Sequence, residues 1–122
     1  MSEKNKATAV AYYTTVAEKR VSDLEKYLHA DVECIGPLGH PQGKQAVLEA
    51  IKNFISFFNT LAIRATFAAD NQVMMVYDVT FPPPIGVMRT ASLLTFQDGL
   101  IAKLELFFDA RPIPPWAQNP TE

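Results

Sequence analysis

The sequence has one cysteine, Cys34, two histidines, His29 and His40, and no excess of positive charge. One thiol cannot close an internal disulfide, and so few cysteines and histidines exclude a multi-cysteine or histidine-rich metal site. The net charge is −2 and the 11 lysines and arginines are scattered. That argues against nucleic acid, which needs a concentrated basic surface, and leaves no basic run to grip an anionic membrane. No apolar stretch approaches the roughly 18 residues of a membrane span. The opening Ser2-Glu3-Lys4-Asn5-Lys6 is polar, unlike a secretory leader, so a cytoplasmic protein is expected. There is no internal repeat and no long linker.

What is present is ordinary globular material. Apolar residues make up 48% and charged residues 20% of 122, enough for one domain spanning 1–122 with a real core. The chain from residue 61 to residue 109 organises the rest. Segments 61–68, 73–81, 87–96 and 101–108 read as strands, separated by Asp70-Asn71, a proline-rich loop and Asp98-Gly99, which predicts a curled antiparallel meander. Residues 7–18 read as a helix with Val10, Tyr13 and Ala17 on one stripe and Tyr12 and Val16 beside it. Ser22 and Glu25 fit a capping box ahead of a short helix over 23–28. Residues 31–35 read as a strand, with Val32 and Cys34 on one face. The glycines and prolines of 36–43 make a loop. Residues 44–58 form the clearest helix, with Val47, Ala50, Ile51, Phe54, Ile55 and Phe58 on one apolar face that the concave side of a sheet must cover. Residues 112–122, rich in proline, read as an irregular tail.

Alternation along the meander is incomplete. Val76, Asp78 and Thr80 share one side of their strand, and Met75, Tyr77, Val79 and Phe81 the other. Both faces of the sheet are therefore substantially apolar. Helices cover one, and a second copy of the protein is expected to cover the other, giving a homodimer through the outer face of the sheet.

The order helix, short helix, strand, helix, four-stranded meander resembles the nuclear transport factor 2-like superfamily, and within it the SnoaL-like polyketide cyclases, ketosteroid isomerases and limonene epoxide hydrolases. The local marks are Leu28-His29-Ala30-Asp31-Val32, Gly36-Pro37-Leu38-Gly39, Gly43-Lys44-Gln45-Ala46-Val47, Leu94-Thr95-Phe96-Gln97-Asp98-Gly99-Leu100-Ile101 and Leu106-Phe107-Phe108-Asp109. The resemblance implies an α+β cone: a curved antiparallel sheet wrapped around a long helix, with N-terminal helices closing a pocket.

Residue by residue, the resemblance carries little of the known chemistry across. Tyr12 matches the first-helix tyrosine of the ketosteroid isomerases, but Gly36 stands at their general base and Ser92 at their second acid. Asp78 matches one aspartate of the epoxide hydrolase relay, whose arginine becomes Val76, whose other aspartate becomes Leu106, and whose water-holding pair becomes Cys34 and Gly36. The implied inner wall is Cys34, Val76, Asp78, Thr80, Ser92, Leu94, Leu104, Leu106 and Phe108, with Tyr12, Val16, Phe54 and Phe58 as helical lids and His40 at the pocket mouth.

Two readings follow. In the first, the chain is a cofactor-independent and metal-independent isomerase, cyclase or hydrolase acting on a small apolar molecule, with Asp78 as acid or base and Tyr12 or Ser92 donating a hydrogen bond. A carboxyl buried without a cationic partner suits that role. The alternative places Asp78 outward, paired with Arg64 or Arg89. The second reading is a non-catalytic ligand-binding or dimerisation module that has lost the family's catalytic residues.

Overall fold

A computed structural model describes residues 2–113. Helix α1 (Ser2–Ala17) leads through two single 3₁₀ turns into strand β1 (Leu28–Ile35). A loop then reaches helix α2 (Lys44–Ile55), followed by β2 (Thr60–Ala69), β3 (Gln72–Thr80), β4 (Val87–Gln97) and β5 (Leu100–Phe107). The five strands form one sheet in the order β1-β5-β4-β3-β2, and only β1 pairs in parallel, with β5. Both tight hairpins use the expected residues. Asp70 has φ +56°, and Asp98 and Gly99 have φ +55° and +78°, the left-handed pair that matches a two-residue turn to the twist of its strands.

Element ends differ from the sequence reading where side chains compete with the helix. Helix α1 begins at Ser2 rather than residue 7, because its polar first turns propagate in solvent, with Thr8 Oγ1 donating to the Lys4 carbonyl at 3.1 Å. Its buried face is Ala9, Tyr12, Tyr13 and Val16, and Val10 lies outside. The helix expected over 23–28 is replaced by the 3₁₀ turns Val21–Asp23 and Glu25–Tyr27, with no side-chain cap at either. Leu28 is taken into β1 opposite Ile101, and burial in the sheet outweighs the capping pattern. Helix α2 stops at Ile55 instead of residue 58. Ser56 Oγ donates back to the Asn53 carbonyl at 2.6 Å, and Asn59 N–H already reaches the Thr80 carbonyl at 2.6 Å to open β2. Phe58 therefore sits in the turn, buried, with Lys19 Nζ 4.5 Å above its ring and donating to its carbonyl at 2.5 Å.

The helices lie on the concave face, α1 against β2 and β3 and α2 against β1. The core between them includes Leu24, Leu28, Val32, Val47, Phe58, Val73, Met75, Leu94 and Ile101, each essentially inaccessible to solvent. The opposite face carries Phe67, Met74, Leu93 and Glu105 in one register row and Ala65, Val76, Ala91 and Phe107 in the next, with Phe67 and Phe107 exposed. No described helix is long and apolar enough to cross a membrane. The expected tail falls almost wholly on 114–122, outside the described residues.

Candidate functional site: an apolar cavity with a hydroxyl floor

Between α1, α2 and the concave face lies a cavity of about 170 Å³. Helix α1 contributes Tyr12, Tyr13 and Val16. Helix α2 and the turn after it contribute Ile51, Asn53, Phe54 and Phe57, and the loop after β1 contributes Gly36, Leu38, Gly39 and Pro41. The sheet supplies Cys34, Tyr77, Val79, Met88, Thr90, Leu104 and Leu106, with Phe81, Phe108 and Ile113 at strand ends or beyond. Gly36 lies close to the sheet. A Cβ there would meet Leu106 Cβ at 3.3 Å, so these two positions pack closely and a larger residue at 36 would have to displace the leucine by a few tenths of an ångström.

Of the residues expected to form the site, Tyr12, Cys34, Phe54, Leu104, Leu106 and Phe108 line the cavity. Phe58, Ser92 and Leu94 are buried behind its wall. His40 points away, exposed, with Nε2 2.7 Å from Glu33 Oε1; the flanking Gly39 and Pro41 are the residues that turn inward.

Asp78 and Val76 are the main correction: both lie on the outer face. Directly paired residues on neighbouring antiparallel strands share a face. Ser92 is inside and pairs with Met75, and Thr90 is inside and pairs with Tyr77, so Asp78, opposite Arg89 and Ala62, must be outside. The physical cause is the alternation of β3 itself. Val73, Met75, Tyr77 and Val79 are all buried, and a shift by one residue would exchange them for Met74, Val76, Asp78 and Thr80. Asp78 Oδ1 instead lies 3.7 Å from Arg64 Nη1.

Three hydroxyls meet in the wall of the cavity. Tyr13 Oη donates to Ser92 Oγ at 2.7 Å, Tyr77 Oη donates to Tyr13 Oη at 3.3 Å, and Ser92 Oγ and Tyr77 Oη are 2.7 Å apart. The Tyr13 and Tyr77 rings are 4.7 Å apart, and the Tyr12 ring packs edge-on to Tyr13 at 4.9 Å. Tyr12 is 2% exposed, yet its hydroxyl bonds to no other described residue. Tyr12 is part of the cavity lining. Sequence reasoning carried Tyr12 forward but left out Tyr13 and Tyr77. The adjacent tyrosines of α1 and the apolar parity of β3 were the available signals.

Burial sets the electrostatics. It pushes the Tyr12 and Tyr13 phenols well above their ordinary range, with neighbouring Cys34 and Tyr77 adding to the effect on Tyr12, and Tyr77 and Tyr12 to that on Tyr13. Burial likewise raises Tyr77 against the opposing pull of its hydrogen bonds with Ser92 and Tyr13, and raises the Cys34 thiol from 9.0 to about 11. No carboxylate, imidazole, ammonium or guanidinium lines the cavity among the described residues. No group of three or more candidate metal-ligating side chains occurs among them either.

The sequence model of one family, described as a SnoaL-like domain, matches residues 9–104. No functionally curated protein matches the sequence. Solved structures similar to this chain include a protein from Kribbella flavida, at 23% identity and TM-score 0.82, covering 88% of each chain. A nuclear transport factor 2-like protein from Cytophaga hutchinsonii aligns at 19% identity and TM-score 0.78, over 89% of this chain and 93% of that one. A steroid delta-isomerase from Pseudomonas aeruginosa aligns at 18% identity and TM-score 0.75, over 93% and 82%. At such identities the likeness concerns the fold alone.

Proposed function

Because the chain belongs to the SnoaL-like family of the nuclear transport factor 2-like superfamily, we propose that it uses the family's cavity to bind a small, uncharged, largely apolar molecule rather than to turn one over. The observation that carries this reading is the cavity's lining, in which the titratable groups are three phenols and a thiol, all shifted upward by burial. Acid–base catalysis near neutral pH needs a group that titrates there. Asp78, the residue that an isomerase or hydrolase reading would employ, is outside the cavity and engaged by Arg64.

The chemistry of binding is simple. Phe54, Phe57, Leu104, Leu106 and Phe108 remove apolar ligand surface from water, worth ~25 cal/mol per Å² before association costs. Tyr12, which lines the cavity, supplies one hydrogen-bond donor to an acceptor on the ligand. A neutral ligand is favoured, since nothing in the lining compensates a buried charge. The lone thiol suits a reducing compartment such as the cytoplasm. The reading includes a second copy of the chain on the outer sheet face, where Phe67 and Phe107 are exposed and Arg64 and Asp78 offer self-complementary charge.

The test is calorimetric titration of the full chain with 1-tetralol and 1-tetralone. Both bind, and Tyr12→Phe, which keeps the ring and loses the hydroxyl, weakens binding by about tenfold, the worth of one hydrogen bond. Asp78→Asn leaves affinity unchanged. Equal affinity of Tyr12→Phe and the parent would remove Tyr12 from the site. Loss of binding in Asp78→Asn would return the carboxylate to it.

A further inference from the structure

Counting protons in the hydroxyl triangle narrows the ligand class. Tyr13, Tyr77 and Ser92 have three hydroxyl protons between them and form three mutual contacts. Tyr13 donates to Ser92 and Tyr77 donates to Tyr13. If Ser92 donates across its 2.7 Å contact to Tyr77, the ring closes head to tail and every proton is used. Each oxygen then retains acceptor capacity only. All three side chains are buried, Ser92 completely, so no bulk water competes for these protons. Tyr12, whose ring packs edge-on to Tyr13 at 4.9 Å, is in the opposite condition: a donor on the cavity wall with no hydrogen-bond partner among the described residues.

From this we infer that the cavity selects a ligand bearing a hydroxyl group, an alcohol or phenol, over the corresponding ketone or aldehyde. A hydroxyl accepts from Tyr12 and donates to the Tyr13–Tyr77 side of the ring, satisfying both. A carbonyl accepts from Tyr12 but meets a second wall of acceptors. To gain a second bond it must break the ring and redirect a proton, which sacrifices a hydrogen bond already made. The inference rests on the binding reading above and adds the polarity of the ligand's functional group.

The experiment uses matched probes that differ only at that group: racemic 1-tetralol, 1-tetralone and tetralin, titrated against the full chain. The expected order of affinity is alcohol, then ketone, then hydrocarbon, with the alcohol about tenfold tighter than the ketone. Ser92→Ala removes the acceptor of Tyr13 and frees its proton to face the cavity. The alcohol-to-ketone ratio then falls to about one or inverts, a change that a merely structural serine would not produce. Should Ser92→Ala fail to fold, Tyr77→Phe opens the same ring, and the same collapse of the ratio is expected.

If all three probes bind but the ketone matches or exceeds the alcohol in the parent protein, the hydroxyl selectivity is overturned and the binding reading stands. A tenfold ratio that persists in both ring-opening variants also overturns it. If none of the probes binds at millimolar concentration, the binding reading itself fails, and this inference with it.

Discussion

At the scale of single residues, the site is defined by groups held neutral. Cys34 makes this measurable. Its thiol ionises near 9.0 when free and near 11 in the folded chain, because burial disfavours the thiolate. Below pH 9 both states keep the proton and stability is unaffected. Between 9 and 11 the unfolded chain releases a proton that the native state retains, so stability falls as pH rises through that window. Two pH units correspond to at most roughly 2–3 kcal/mol, less for any water the cavity admits. Urea titrations at pH 8 and pH 10.5 should show a smaller alkaline loss in Cys34→Ala than in the parent. The tyrosines remain in both proteins and add an equal loss. Identical slopes would mean that the thiol is solvated in the native state.

At the scale of elements, the sequence was most legible where a period of hydrophobicity and a turn signal agreed. The four meander strands, the Asp70-Asn71 and Asp98-Gly99 turns and most of α2 were readable for that reason. The face assignment of β3 was not. Its seven central residues include only one charge, Asp78, and both of its faces carry apolar side chains, so alternation alone did not say which face looks inward. Pairing with β4 decides it, because Thr90, Ser92 and Leu94 inside force Tyr77, Met75 and Val73 inside with them. Short-range signals differ from the structure twice. Ser22 and Glu25 had the right spacing for a helix that the pairing of Leu28 with Ile101 overrides, and the apolar stripe to Phe58 outlasts the helix because the chain must turn by Asn59. Tyr13 was visible as a stripe residue, but its role depends on meeting Ser92, 79 positions away, and no local pattern encodes that contact. Position 36, which the resemblance matches to the ketosteroid isomerase base, and position 106, which it matches to an epoxide hydrolase aspartate, hold a glycine and a leucine that pack on each other, a contact legible only in three dimensions.

At the scale of the whole molecule, the proposed dimer rests on the outer face of the sheet. Phe67 is 64% and Phe107 52% exposed, in adjacent register rows with Met74, Leu93 and Val76 between them. Sedimentation should give twice the chain mass of 13.6 kDa, and Phe67→Lys combined with Phe107→Lys should return it to one chain with the cavity's affinity unchanged. A parent protein that sediments at the single-chain mass at high micromolar concentration would exclude the dimer. The parallel edge also determines the order in which the molecule comes together. Strands β2 to β5 are joined in sequence, two of their three connections being two-residue turns, whereas β1 finds β5 across roughly 70 residues of chain. The meander thus closes early and β1 docks late, and with β1 come Cys34 and the loop of Leu38 and Pro41. On this order the cavity is expected to be completed after the main folding barrier, so that anything that fills it acts on the finished molecule. Saturating 1-tetralol should slow unfolding in stopped-flow experiments and leave the refolding rate untouched. A ligand that accelerates refolding would instead mean that the cavity is already formed at the barrier.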